Sequence, residues 1–199
     1  MLSRIVSILL ALMFVVPAAL GQDGSRYVLD PESTFWVEGS SNQSDWTVTA
    51  TEFEGSVRVA PDFPDGEAPV LEVHVEVIAE KILSRRSPIM DRLTHQALKA
   101  DQNPTIVYDL TSTGAASPDT SSGVLIGTAG TLTIAGSPQE VEVPVWSETL
   151  EDGRLRFVGS FDTRLTTFGM KPPSAMFGAL HTADPVTIRF DLIAAESAE

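Results

Sequence analysis

The sequence contains no cysteine, and it has few basic residues for its length. Without disulfides, the fold must be held by packing and hydrogen bonds alone. Thirteen Lys and Arg residues stand against 27 Asp and Glu residues, which gives a formal net charge of −14. A surface of that sign repels phosphate backbones, so no nucleic-acid partner is expected. The acidic residues are dispersed along the chain, which favours a solvated surface over a localised acidic site.

Long apolar runs are also missing, except at the N-terminus. There Arg4 precedes a largely apolar run over residues 5–16, and Pro17 and small residues follow. This order is typical of a signal peptide, predicted here over residues 1–21 with cleavage near Gly21. The alternative is an uncleaved anchor, although the run is short for a membrane span. We therefore expect a periplasmic or secreted protein whose mature chain does not insert stably into a membrane.

The remaining chain, residues 22–199, fits one domain with its own core. Its clearest pattern covers residues 130–145, where two alternating segments flank a turn predicted at residues 136–138. Successive side chains of a strand point to opposite faces, so this segment predicts a hairpin with one apolar face. That apolar face consists of Leu132, Ile134, Val141, Val143 and Val145.

The same alternation recurs along most of the chain. It is found at residues 35–37, 46–59, 71–77, 106–110, 155–161 and 186–192. Within residues 46–59 the apolar face switches near Thr51 and Glu52, which predicts a β-bulge there. About eight strands with a single apolar face predict an all-β fold, either an antiparallel barrel or a sandwich of two sheets.

One amphipathic helix is predicted over residues 88–99. Ser87 is suited to the N-cap and Pro88 to the first helical position. Ile89, Leu93 and Ala97 are spaced four apart and form an apolar stripe. The open end of a barrel is the natural surface for that stripe to cover.

The sequence contains no motif of a catalytic or cofactor site, so neither an enzyme nor a cofactor is predicted. Glu72, His74 and Glu76 share one strand face and carry metal-ligand chemistry, but one strand alone rarely supplies a metal site. The favoured interpretation is an exposed polar face without a metal. His95 and His181 lack a spaced partner and are interpreted as surface residues.

The segment around residues 170–180 places Met170, Met176, Phe177 and Leu180 among small and polar residues. Methionine adapts to irregular apolar partners, so these side chains are suited to an apolar flap over the barrel mouth. The alternative is that they tuck under the loop into ordinary core. The sequence leaves both interpretations open.

Six segments, taken in order, resemble the YceI-like family. These are residues 27–33 (YVLDPES), 37–46 (VEGSSNQSDW), 97–106 (ALKADQNPTI), 130–136 (GTLTIAG), 167–170 (TFGM) and 186–188 (VTI). The chain departs from the family pattern at Ser44, at Thr167 and at residues 183–185. The resemblance implies an exported, lipocalin-like antiparallel barrel of about eight strands, associated with polyisoprenoid binding.

The function expected from this resemblance is that of an exported binding protein whose barrel encloses a long apolar molecule, such as a polyisoprenoid or an isoprenoid quinone. The alternative is a packed barrel that acts as an interaction or stress-related module without a ligand. The strand residues of the predicted site, Leu71 included, are expected to point inward. The predicted ligand-binding residues are Phe35, Val37, Phe53, Leu71, Val73, Val75, Ile89, Met90, Leu93, Ile106, Tyr108, Leu132, Val143, Phe157, Phe168, Met170, Met176, Phe177, Ile188 and Phe190.

Overall fold

The alternating segments form antiparallel strands in the computed structural model, which describes residues 24–85, 87–118 and 123–197. The predicted signal peptide, residues 1–21, lies outside the described residues. The elements are β1 (Ser25–Leu29), β2 (Thr34–Ser41), β3 (Asp45–Ala50), β4 (Phe53–Val59), β5 (Val70–Ile78), β6 (Ile82–Leu83), α1 (Pro88–Leu98), β7 (Thr105–Thr113), β8 (Ser117–Pro118), β9 (Val124–Ile134), β10 (Ser137–Thr149), β11 (Leu155–Arg164), β12 (Ser174–Ala175) and β13 (Leu180–Glu196).

These strands close into a barrel. Hydrogen-bonded neighbours follow the order β1-β4-β5-β7-β9-β10-β11-β13, and β13 pairs back onto β1. The long β13 also pairs with β2, and β2 pairs with β3. Therefore β1 and β2 together fill one position of the ring, and β3 and β4 together fill the next. In the part of the chain that the structure describes, the barrel has eight antiparallel positions and is accompanied by one α-helix, which confirms the predicted fold class.

The hairpin over residues 130–145 is present, but its turn was placed wrongly. Ala135 and Gly136 form a two-residue turn with φ of 52° and 77°. Two positive φ angles match the right-handed twist of the flanking strands, which favours this turn type. Pro138, predicted in the turn, instead lies opposite Thr133 within the strand pair.

The predicted β-bulge at Thr51 and Glu52 is also wrong. The chain bends at these two residues between β3 and β4, which have different partners: β3 pairs with β2 and β6, and β4 pairs with β1 and β5. The Thr51 amide donates to the Lys81 carbonyl at 2.9 Å, and the Ile78 amide donates to the Glu52 carbonyl at 3.1 Å. The two residues between β3 and β4 lie outside both strands, and this break within one ring position shifts the alternation so that the apolar face switches.

The helix forms as predicted. The Ser87 hydroxyl accepts from the Met90 amide, Pro88 occupies the first turn, and Lys99 ends the helix in the left-handed conformation. The Ser84 amide donates to the Asp91 carboxylate at 2.6 Å and fastens the helix to the chain that leads into it. No helix among the described residues has both the length and the hydropathy needed to cross a bilayer.

The interior contains two apolar clusters, one at each end of the barrel. The mouth cluster lies at the end next to α1 and includes Val48, Ile134 and Phe168. The far-end cluster includes Val59, Leu155 and Ala194 at the opposite end. What lies between them determines whether the barrel is hollow.

Candidate functional site

An inner cavity of about 190 Å³ lies inside the barrel. Side chains from β2, β3, β4, β5, β6, β7, β9, β10, β11 and β13 line it, and almost all of them are aliphatic or aromatic. No described residue on its wall carries a charged side chain. Such a space favours an apolar ligand, since a charge placed there would have no partner.

An outer cavity of about 300 Å³ lies at the mouth. One side is formed by α1 through Ile89, Met90 and Leu93, and another by Phe168 and Met170. The wall also contains hydroxyl groups, one amide and one guanidinium, so this end is more polar than the inner cavity. The polar residues are Ser41, Gln43, Ser44, Ser87, Thr94, Thr163, Arg164, Ser174 and Thr182.

The two cavities are adjacent. Six residues line both of them: Val37, Val48, Ile82, Ile106, Ile134 and Ile188. These shared walls from β2, β3, β6, β7, β9 and β13 place the cavities end to end along the barrel. Together they form one path from a polar rim under α1 to an apolar interior.

The inner cavity has one polar pair. The Thr128 hydroxyl donates to the Val143 carbonyl at 2.8 Å, and its oxygen also forms a hydrogen bond with the Tyr108 side chain. Burial raises the pKa of Tyr108 above its ordinary value, with the Thr128 hydrogen bond acting in the opposite direction. The phenol therefore stays neutral at physiological pH.

The rim is held by hydrogen bonds between distant segments. The Asn42 side chain donates to the Ala179 carbonyl at 2.8 Å and accepts from the His181 amide at 3.1 Å. Asp184 accepts from the Thr166 amide at 2.9 Å and from its hydroxyl at 2.7 Å, and these bonds lower the pKa of Asp184. Asp184 lies in one of the segments that depart from the family pattern, and here it positions the turn before Phe168.

The structure places most of the predicted site residues on the walls of these cavities. Five predicted residues line the outer cavity beside α1: Ile89, Met90, Leu93, Phe168 and Met170. The inner cavity is lined by Phe35, Val37, Val73, Val75, Ile106, Tyr108, Leu132, Val143, Phe157, Ile188 and Phe190.

Leu71 was predicted to point inward and lines neither cavity. Arg58 pairs with Glu72 but Val59 pairs with Val70, so Leu71 is an extra residue on β5. The bulge moves Val70 to the inward face, where it is 5% exposed and lines the inner cavity, while Leu71 lies beside Gly24. The prediction for Leu71 is therefore wrong.

Phe53 and Phe177 also line neither cavity. Phe53 packs edge-to-face on Phe35, with ring centroids 4.9 Å apart, and is a partly buried residue against the mouth cluster. The Phe177 side chain is fully exposed, so it does not tuck into the core. The side chain of Met176 lies outside the part of the chain that the structure describes.

The predicted ligand-binding set omitted further wall residues. Val77, Ile126, Ile134, Val141 and Val145 follow the same alternation as their predicted neighbours and line the inner cavity. The alternating pattern was sufficient to find these five. Val70 and Ile82 required the pairing of β4 with β5 and of β3 with β6, which the alternation of one strand does not contain.

The polar face of β5 is an ion-pair surface. His74 lies between two carboxylates, 2.7 Å from Asp109 and 3.2 Å from Glu76, and Glu72 pairs with Arg58 at 3.0 Å. The hydrogen bond with Asp109 is the main reason that the pKa of His74 is raised. Within the described ranges, no group of three His, Cys, Asp or Glu residues is arranged to hold a metal ion.

The fold has relatives among solved structures. The crystal structure of Burkholderia cenocepacia BcnA has a TM-score of 0.67 at 17% identity and covers 84% of this chain and 99% of its own. A polyisoprenoid binding domain from Saccharophagus degradans, implicated in plant cell wall breakdown, has a TM-score of 0.66 at 9% identity, with coverages of 87% and 99%. The Campylobacter jejuni YCEI protein has a TM-score of 0.56 at 14% identity, with coverages of 80% and 85%. At these identities the likeness concerns the fold alone.

The family assignment comes from the sequence. No curated protein matches this chain. The YceI-like domain matches residues 27–194, which run from β1 into the end of β13. This range includes every strand of the barrel and both cavities, and the chain belongs to the YceI-like family.

Proposed function

We propose that this protein binds one apolar lipid chain inside its barrel and carries it through water without bond chemistry. The observation that supports this most directly is the inner cavity, whose wall is almost entirely carbon and continues into the outer cavity at the mouth. Each CH₂ group transferred from water into such a space contributes about 0.8 kcal/mol to binding. The polyisoprenoid binding domain of Saccharophagus degradans shares this fold, which supports an isoprenoid or quinone tail as the ligand class.

The rim favours a head group that is polar but uncharged. Among the described residues that line the two cavities, Arg164 alone has a charged side chain, and its guanidinium lies 3.6 Å from the Asp184 carboxylate. Apart from the Trp46 indole, which donates to the Ser40 carbonyl, the other polar side chains of the rim carry hydroxyls or, at Gln43, an amide, and both groups donate and accept hydrogen bonds. An alcohol or a quinone carbonyl fits these groups, whereas a diphosphate would require cations without a carboxylate partner.

We further propose export of the chain. The support is the sequence order of Arg4, the apolar run and the small residues up to Gly21. A lipid carrier outside the cytoplasm would start near Gln22. N-terminal sequencing of the protein from a periplasmic or secreted fraction tests this, and recovery of Met1 or Leu2 from that fraction would contradict it.

The experiment for binding starts with organic extraction of the purified protein and mass spectrometry of the extract. The delipidated protein is then incubated with geranylgeraniol or with geranylgeranyl diphosphate, and native mass spectrometry measures the bound fraction. We expect a lipid in the extract and a one-to-one complex with the alcohol. We expect the diphosphate to bind at least about tenfold more weakly, which corresponds to 1.4 kcal/mol.

Two results would contradict these proposals separately. Absence of both extracted lipid and bound alcohol would overturn the carrier function and favour the interaction module. Equal binding of alcohol and diphosphate would retain the carrier function but overturn the uncharged head group. Glu72→Gln, on the outward face of β5, is the matched control and should bind as the wild type does.

A further inference from the structure

The inner cavity ends before the barrel does. On β11 and β13, Phe157 lies opposite Leu192 and Leu155 lies opposite Ala194. Phe157 and Leu192 line the cavity, whereas Leu155 and Ala194 are 2% and 0% exposed and line neither cavity. Side chains therefore fill the interior from the layer of Leu155 to the far end of the barrel.

The filled end is also covered from outside. Phe63, in the loop between β4 and β5, packs edge-to-face against Phe157 with ring centroids 6.3 Å apart. Val59 at the end of β4 is 3% exposed and belongs to the same far-end cluster. An apolar chain that enters from the mouth meets the Phe157 ring, which is held in place from behind.

The space above this layer can be expressed as a chain length. The inner and outer cavities measure about 190 and 300 Å³, together about 490 Å³. An apolar cavity of about 150 Å³ is known to take up benzene, so each carbon requires about 25 Å³. The path therefore holds about 20 carbons, equivalent to four isoprene units.

We infer that Phe157 and Leu192 form a floor that limits the enclosed part of the ligand to about four isoprene units. This inference rests on the proposed function and adds to it a chain length. A longer tail leaves its remaining units in water, where they bring no further apolar burial. Affinity should therefore rise with chain length up to the floor and then stay constant.

The test is a series of prenyl alcohols with two, three, four and six isoprene units: geraniol, farnesol, geranylgeraniol and hexaprenol. Binding to the delipidated full chain is measured by native mass spectrometry in competition with geranylgeraniol. We expect the affinity to rise at each step up to geranylgeraniol and to change less than about threefold from there to hexaprenol.

Phe157→Ala removes the floor, and we expect it to shift the end of the affinity rise from geranylgeraniol to hexaprenol. Phe157→Leu is the milder variant, to be used if the alanine variant does not fold. Phe161→Ala is the matched control, because Phe161 lines the same cavity on the same strand but lies four residues nearer the mouth. It widens the path but leaves the Phe157 ring in place, so a single tail still stops at the same depth and the affinity rise should still end at geranylgeraniol.

The outcomes separate this inference from the proposed function. If no alcohol binds, the carrier function fails and the floor has no role. If wild-type affinity continues to rise to hexaprenol, the protein is a carrier but the floor is wrong. If the rise ends at geranylgeraniol in both folded Phe157 variants, something other than Phe157 sets the length, and the assignment to this residue is overturned.

Discussion

The ring of Tyr108 lies over the backbone of Gly130 on the neighbouring strand. A Cβ atom added to Gly130 would be 2.5 Å from Cζ of Tyr108 and 2.6 Å from the carbonyl oxygen of Asp109. Real Cβ atoms essentially never approach that closely. The glycine that opens the family-like segment at residues 130–136 thus makes room for the inward aromatic ring that carries the cavity's polar group.

Gly130→Ala should destabilise the protein by about 1–3 kcal/mol, because the added methyl group overfills the space beneath Tyr108. Gly127→Ala is the control on the same strand, since a Cβ there meets nothing within 4 Å. Urea unfolding of the two variants measures the difference. Equal stabilities would show that the ring does not depend on the missing side chain.

The alternating pattern predicted the barrel well because each strand has one apolar and one polar face. Leu132, Val143 and Ile188 are on the cavity wall for this reason alone. The pattern failed where the face is decided by a partner strand. Leu71 is displaced by a bulge relative to β4, and no property of the β5 sequence alone reveals it.

The mouth was less predictable than the barrel. Its walls come from α1, from the turn at Phe168 and from the chain around Leu180, and α1 is far in sequence from the other two and meets them only after the barrel closes. The apolar residues of one loop then separate: Met170 is buried and Phe177 is exposed. Composition suggested a shared role for these two residues, but their different packing depends on tertiary contacts.

The register of β5 predicts that substitutions at adjacent residues differ strongly in their effect on stability. Val75 is 5% exposed on the cavity wall, so Val75→Asp places an unpaired charge in an apolar space and should cost about 4 kcal/mol or more. Glu76→Gln, on the outward face, should stay within about 0.5 kcal/mol of the wild type. Thermal melting of both variants checks the register, and similar melting temperatures would refute it.

His74 should make stability depend on pH. Its pKa is raised in the folded state, mainly by the hydrogen bond with Asp109 and also by Glu76, so protonated His74 stabilises the fold. That contribution is complete below the unfolded pKa of about 6.5 and is lost as the pH rises through the higher folded pKa.

The check is the stability difference between wild type and His74→Asn at about pH 5.5 and about pH 8.5. The difference should be larger at the lower pH, because only the protonated imidazole gains from Asp109 and Glu76. Taking the difference cancels the titration of the other carboxylates. A difference that is equal at the two pH values would show that the ion pairs of His74 do not contribute to stability.

Substitutions of two phenylalanines nine residues apart should differ strongly in their effect on stability. Phe168 is 1% exposed in the mouth cluster, so Phe168→Ala should cost about 3–5 kcal/mol. Phe177 is fully exposed, and Phe177→Ser should leave the unfolding free energy within about 0.5 kcal/mol of the wild type. Chemical denaturation measures both values. A large loss of stability in Phe177→Ser would mean that this side chain packs against the protein.

Filling the inner cavity distinguishes a carrier from a packed barrel. Val73 and Val143 line that cavity from β5 and β10. In a hollow barrel, Val73→Phe or Val143→Phe projects a ring into the space that the lipid tail requires. Binding should fall strongly, whereas the melting temperature of the delipidated protein should change little.

In a packed barrel the same ring has no free space, and overpacking should cost about 1–3 kcal/mol. The measurement combines thermal melting of delipidated protein with native mass spectrometry of the geranylgeraniol complex. Glu142→Gln, adjacent to Val143 on the outward face of β10, is the control and should alter neither quantity. Because destabilisation and loss of binding are measured on the same variants, a stable variant that no longer binds supports the carrier. An unstable variant of a protein that carries no lipid would favour the interaction module.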